Sequence, residues 1–383
     1  MTTIESPTAG RSKKISSREE LVTAGIQAIC KHGIDNVTVS TVTTITGHSR
    51  PTFYSYFGDV DGMFAEIWID YGTKWLDTLI DFEDREESEF ENHLAWAMLQ
   101  IFSVAHRKTE VSEVVVPDVK KWWDENAGTT VYSQLRMAWL LGAKLGVKMA
   151  ALITPDCVAA LQVIPAIRAI PDDLTDSPVL ANLKPLPDMA RIPDVLANPL
   201  SREEELMQAA AEVVAHSGVK AASVARVARK CRVSTGTIYP RFATGDELMT
   251  ATFDAAINTV VSANLEQLAS LGHVADQYGF VVIVGLSENR KIWRKFRQEV
   301  HLAAMYDGEL RKVIRPGFEQ TRLRILEASK VADAISKEFL DSATWLMHAI
   351  AVGLALLKEA GIPVQTMDHR IVTRFLASVI SPR

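Results

Sequence analysis

Cysteine is scarce in this chain: three in 383 residues, at Cys30, Cys157 and Cys231. They lie far apart, with no CxxC pair and no histidine pairing of ligand type. That argues against a disulfide framework or a zinc site and fits a reducing cytoplasm. Long hydrophobic runs are also missing. The most apolar stretch, Trp345 to Leu357, is too short to span a bilayer and is interrupted by His348. The stretch from Met137 to Ile153 carries Lys144 and Lys148. Both read as buried helices, so no membrane contact is expected. The opening segment MTTIESPTAGRSKK has no apolar core and is not expected to be a signal peptide. Enzyme signatures are lacking too: no nucleophile beside a base, no framed carboxylate pair, no glycine-rich phosphate loop, no metal spacing. Neither catalysis nor a cofactor is expected.

What is present suits an ordinary globular protein. Hydrophobic residues make up 48% and charged residues 23%, enough to bury a core in each of two domains. The net charge is -6, from 41 basic and 47 acidic side chains. Any nucleic-acid contact must therefore come from a local basic face.

The chain reads as a duplication. With Leu21 placed over Leu206 and no gaps, Ala24, Gly33, Val39, Val42, Ser49, Thr52, Tyr54, Phe57 and Asp61 meet Ala209, Gly218, Val224, Val227, Ser234, Thr237, Tyr239, Phe242 and Asp246. Further on, His106-Arg107-Lys108 resembles Asn289-Arg290-Lys291. Between the halves, Pro165, Pro171, Pro178, Pro185, Pro187, Pro193 and Pro199 forbid one continuous helix. Isoleucines and leucines between them suggest a strap packed on the surface. The expected division is a basic arm 1–16, a first reader 17–75, a first helical bundle 76–164, a linker 165–200, a second reader 201–260 and a second bundle 261–383.

Each half opens with a capping-box pattern, Ser17-Arg18-Glu19-Glu20 and Ser201-Arg202-Glu203-Glu204, in which serine and glutamate exchange bonds with free backbone N–H groups. A first helix follows, with Leu21, Ile26 and Ile29 or Leu206, Ala210, Val213 and Val214 as its apolar positions. Gly33 and Gly218 are expected to stop it in a left-handed conformation. Thr38 and Ser223 would cap a short second helix, Val39 to Thr46 or Val224 to Cys231. Ser49 and Ser234 would cap a third, Arg50 to Phe57 or Thr235 to Phe242. Pro51 is harmless in a first turn, whereas Pro240 comes late and should tighten or end its helix.

The patterns Ser-x-x-Thr-Phe-Tyr-x-Tyr-Phe and Val-Ser-x-Gly-Thr-Ile-Tyr-x-x-Phe resemble the recognition helix of the TetR (tetracycline-repressor-like) family, over about fifty residues in each half. The resemblance implies an all-α fold: two TetR-like units, each a three-helix helix-turn-helix reader followed by a helical effector and dimerisation bundle. Two units in one chain would make an intramolecular pseudo-dimer, a monomer that does the work of a dimer, although a higher homo-oligomer stays open. It implies a transcription regulator, a ligand-responsive repressor, whose partner is double-stranded DNA. The alternative is a sensor or interaction scaffold that has lost specific DNA binding. Where the family often has a lysine opening the fourth helix, this chain has Val60 and Gly245.

By the same resemblance, the third helix enters the major groove. Arg50, Thr52, Thr235 and Thr237 are the candidates for base edges. Tyr54, Tyr56, Tyr239 and Arg241 are the phosphate candidates, together with the caps Thr38, Ser49, Ser223 and Ser234. Phe53, Phe57, Ile238 and Phe242 read as core. From Gly218 to Phe242 the second reader carries Lys220, Arg226, Arg229, Lys230, Arg232 and Arg241 and no acid. The first reader offers Arg50, Asp35 and His48 over the matching stretch. The second reader should therefore dominate phosphate attraction, and unlike readers imply an asymmetric operator.

The back of each half is expected to hold an unknown small, largely apolar effector. Trp96, Phe102 and Trp139 are the candidates in the first half, and Trp293, Phe296 and Trp345 in the second. Each competes with a role as plain core. The helices around Tyr132 to Leu152 and Ser342 to Leu357, with Gly142, Gly146 and Gly353 for close approach, are expected to pair within the chain. Cys231 reads as small filler rather than a redox switch, because no second thiol lies near it in sequence.

Overall fold

The computed structural model describes residues 16–81, 88–171, 198–268, 274–328, 337–364 and 372. Within them every regular element is helical. The first half runs α1 (Ser17–His32), α2 (Val39–Thr46), α3 (Arg50–Phe57), α4 (Val60–Ile80), α5 (Glu89–Val104), α6 (Thr109–Asn126), α7 (Val131–Ala150) and a short α8 (Ile164–Arg168). The second runs α9 (Arg202–Ser217), α10 (Val224–Lys230), α11 (Gly245–Leu268), α12 (Val274–Leu286), α13 (Lys291–Ala304), α14 (Gly308–Ala328) and α15 (Lys337–Glu359). The basic arm up to residue 15, residues 82–87, and 172–197 of the linker lie outside the described residues.

Local chemistry explains the helix starts. Ser16, one residue before the expected serine, caps α1, and the true box is Ser16 with Glu19. Ser16 with Glu19 and Ser17 with Glu20 have the same box spacing, so spacing alone does not choose between the two registers. Ser201 caps α9 as expected, while the Glu204 side chain reaches the N–H of Leu200. Gly33 and Gly218 do end their helices at positive φ, +78° and +82°. Their ψ values of 147° and 162° are extended, so neither is a left-handed cap. The chain there turns straight into a single 3-10 turn.

The linker begins later than expected. A 3-10 segment, Pro155–Val163, and α8 fold back onto α7, burying Cys157, Ile167 and Ile170. Arg136 donates to the carbonyl of Ile170 at 2.6 Å. The isoleucines win here because α7 and α15 offer them an apolar face, so packed structure reaches 171 rather than 164.

Corresponding helices occupy corresponding places. α5 packs on α1 and α13 on α9, α6 on α4 and α14 on α11, and α7 lies along α15. The expected match of His106-Arg107-Lys108 with Asn289-Arg290-Lys291 fails, since the first segment leaves α5 and the second enters α13. A closer likeness runs between Glu110-Val111-x-x-Val114-Val115-x-Pro117 in α6 and Glu309-Leu310-x-x-Val313-Ile314-x-Pro316 in α14. The extra helix α12 displaces the register.

α7 and α15 meet at glycine. A Cβ on Gly146 would overlap the carbonyl of Ala349, and one on Gly353 would overlap the carbonyl of Gly142. A second reciprocal contact lies beneath the readers. Tyr306, in the α13–α14 turn, lies against Gly33, and Arg107, in the α5–α6 turn, lies against Gly218. The Tyr306 hydroxyl receives bonds from Gln100 and Trp96 at 2.7 and 2.9 Å and donates to the carbonyl of Ile29 at 3.0 Å. Arg107 bonds Glu299 at 2.7 Å and Asp35 at 2.8 Å.

Candidate nucleic-acid interface

In the first reader the turn between α2 and α3 closes on Gly47, left-handed at φ 75° and ψ 2°. Thr38 and Ser49 accept from the N–H of Thr41 and Thr52 as caps. Phe53 and Phe57 pin α3 to the core. That leaves Thr38, Ser49, Arg50, Tyr54 and Tyr56 exposed and Thr52 half-buried. The hydroxyls of Ser49 and Thr52 also bond each other at 2.8 Å.

The second reader departs from expectation at its third helix. Thr235–Thr237 form one 3-10 turn, and the chain continues to Phe242 in hydrogen-bonded turns rather than as an α-helix. Gly236 disfavours helix. Pro240, without an N–H, leaves the Gly236 carbonyl unserved and crowds it. The chain still delivers Ile238 and Phe242 inward to a small core with Leu206, Ala210 and Val227. Ser223, Ser234, Thr235, Tyr239 and Arg241 are exposed and Thr237 half-buried, a pattern close to that of the first reader. α10 stops at Lys230 instead of Cys231.

Arg232 stands where the first reader has Gly47, and it takes the left-handed conformation at φ 56°. A non-glycine residue there costs roughly 1–2 kcal/mol. This was missed from the sequence, although the alignment of Gly47 with Arg232 carried the signal.

The charges are partly spoken for. Arg241 pairs with Glu203 at 2.9 Å and Lys230 with Glu212 at 2.6 Å, both at exposed positions where such pairs are weak and exchangeable. Lys220 reaches Asn36 of the first reader at 2.7 Å. Arg226, Arg229 and Arg232 remain exposed. Beside the first reader the charge has the opposite sign. Asp59 caps α4, and Asp59 and Asp61 push the Glu110 carboxyl up from its ordinary value, with Asp59 the larger cause.

Residues 206–252 match the family model for bacterial regulatory proteins of the tetR family. The second half thus carries a tetR-family helix-turn-helix unit of the kind found in DNA-binding transcription regulators. The match runs from within α9, through the turn-rich third element, into α11. No curated protein matches the chain. Among the described residues no helix is long and apolar enough to cross a membrane, and no group of side chains is arranged to hold a metal ion.

Behind this tetR-family reader lies a cavity of about 130 Å³ between α11, α13, α14 and α15. Of the expected effector residues, Trp293 and Trp345 line it. Phe296 faces a separate cleft with Met249 and Ile314. The first-half candidates are used otherwise. Phe102 stacks on Trp68 at 6.0 Å and tilts against Trp75. Trp96 bonds Tyr306, and buried Trp139 borders a void of about 10 Å³, too small for a ligand. Cys231 is half-buried with its thiol pushed up by burial and facing the Glu205 carbonyl, the setting of an inert filler.

Proposed function

We propose that the chain is a ligand-responsive transcriptional repressor that reads an asymmetric operator through two unlike helix-turn-helix units held as an intramolecular pseudo-dimer. The observation that carries it is the tetR-family match of the second reader together with the exposure of Thr235, Tyr239, Arg241, Arg226, Arg229 and Arg232. Phosphate contacts supply affinity and register, and base-edge contacts supply sequence preference. The second reader takes the larger share of the phosphates. The first, with Arg50 exposed but acids at the start of its α4, adds base contacts more than charge.

The reciprocal contacts support the pseudo-dimer. Gly33 with Tyr306 mirrors Gly218 with Arg107, and Gly146 over Ala349 mirrors Gly353 over Gly142. Helices joined in this way fix the spacing of the two readers, so a ligand in the second bundle can alter it.

The test is a gel shift on the DNA flanking the protein's own coding region, titrated with salt. Specific binding should fall by tenfold or more in Tyr239→Ala, and Arg241→Ala should lower the salt slope by about one. A perfect palindrome protected equally by both halves would overturn the asymmetric reading. The acids around Asp59 favour a second reading, a scaffold without specific DNA binding, and absence of any specific shift at low salt would establish it.

A further inference from the structure

The cavity behind the second reader contains an unanswered charge. Arg297, on α13, is half-buried, with its guanidinium between helices on the wall of the cavity. It donates to the carbonyl of Ala351 at 2.9 Å and sits over the Trp293 ring at 5.8 Å. No carboxylate among the described residues pairs with it. Its neighbours differ: Arg294 is paired with Glu359 at 3.1 Å, and Arg107 is held between Glu299 and Asp35. A buried cation without a counterion is costly and is normally matched by an anion or by a bound group. Burial, with Arg294 nearby, pushes this guanidinium down to about 10, so it stays charged at neutral pH.

A second group in the same wall lacks a hydrogen-bond partner. His348, on α15, lines the cavity half-buried, and its Nε2 is enclosed without a partner. Its ring packs on Phe318 at 4.8 Å and on His301 at 5.7 Å. Burial holds it well below the usual histidine range, so it is neutral. The rest of the lining is mainly apolar and aromatic, with Ile257, Val260, Trp293, Phe318 and Trp345, and its other polar members are Asn264, Thr321, Thr344 and an Arg322 already paired with Glu319. At about 130 Å³ the space is near the roughly 150 Å³ of an apolar cavity that admits benzene.

We propose that this cavity binds a single-ring aromatic carboxylate, its anionic end on Arg297 and His348 and its ring among Trp293, Phe318 and Trp345. Arginine offers a planar fork that matches a carboxylate, and a small concave apolar site with few polar groups is the usual form of a ligand pocket. The inference rests on the reading of this cavity as the effector site and names the class of effector. Binding would also satisfy Nε2 of His348 and neutralise Arg297, so the ligand completes the packing of α13 against α15.

The full chain titrated with benzoate and, separately, with toluene tests this by calorimetry and by quenching of tryptophan fluorescence. Benzoate should bind at least tenfold more tightly than toluene, and Arg297→Met should erase that preference while toluene still binds. Arg297→Lys should keep part of it, since the charge stays and the fork is lost. Without ligand, Arg297→Met should melt no lower than the parent, because it removes an unpaired buried charge. Equal affinity for the two probes overturns the carboxylate and leaves the cavity a neutral-ligand site. Binding of neither probe overturns the cavity as an effector site for small rings, the reading beneath it. A lower melting point in Arg297→Met with unchanged benzoate affinity would make Arg297 a strut and likewise overturn the proposal.

Discussion

Gly146 of α7 and Gly353 of α15 meet backbone to backbone, and neither helix has room there for a methyl group. The obstructing atoms are main-chain carbonyls of the opposite helix, which cannot swing aside as a flexible side chain would.

Gly353→Ala should therefore destabilise the protein by about 1–3 kcal/mol, the usual cost of overpacking. Gly285→Ala, in α12 where a methyl group would meet open space, should instead be neutral or gain about 0.5–1 kcal/mol from helix propensity. Urea unfolding of both variants checks the contrast. Equal melts would mean that α7 and α15 pack more loosely than described.

Arg232 predicts a trade. Arg232→Gly relieves the left-handed backbone and should stabilise the second reader by about 1 kcal/mol. It also removes an exposed cation, so affinity for any DNA should drop together with the salt slope. Limited proteolysis and salt-titrated gel shifts would read the two effects separately.

The Arg107 network couples the halves. Glu299 is buried and its second carboxylate oxygen has no partner, so it depends on Arg107 and on a 3.3 Å contact with His106. Arg107→Met strands that carboxylate and should cost about 3–5 kcal/mol. Arg107→Met with Glu299→Leu should recover much of the loss, because the stranded charge is gone. A double-mutant cycle in urea measures the coupling, and additive losses would disprove it.

Acid should weaken the fold. Burial pushes His106 down to about 4 and His301 to about 3, and lowers His348 as well. The unfolded chain takes up these protons below about 6.5 and the folded one resists, so stability present above pH 6.5 is lost as pH falls toward 4. Glu299 acts in the opposite sense. Burial pushes its carboxyl up to about 7, which penalises the fold above its ordinary value of 4.5 and relents as pH falls. Three histidines outweigh one glutamate, so the urea midpoint should decline from pH 7.5 to 5. A flat or rising midpoint would contradict the burial of these rings.

The first reader was legible almost residue by residue. Thr38, Ser49 and Gly33 each impose a start or a stop through local backbone chemistry, and α2 and α3 begin where their caps require. The second reader was legible as a set of exposed and buried positions. Its third helix was overestimated because Gly236 and Pro240 were weighed one at a time, and together they undo a helix of that length. The back of each half was legible only as helices. The likeness of α6 to α14, each with an internal proline at Pro117 or Pro316, is shifted in register by α12. Trp293 and Trp345 were legible as lining residues, but the cavity's shape was not, since it depends on how side chains from several helices fail to fill a shared space.

The pairing of α7 with α15 inside one polypeptide has a genetic consequence. In a protein built from two identical chains, each codon change alters both binding surfaces at once. On the function proposed above, Thr235 and Arg50 are encoded separately, so mutation could alter one half of the proposed recognition surface while leaving the other unchanged.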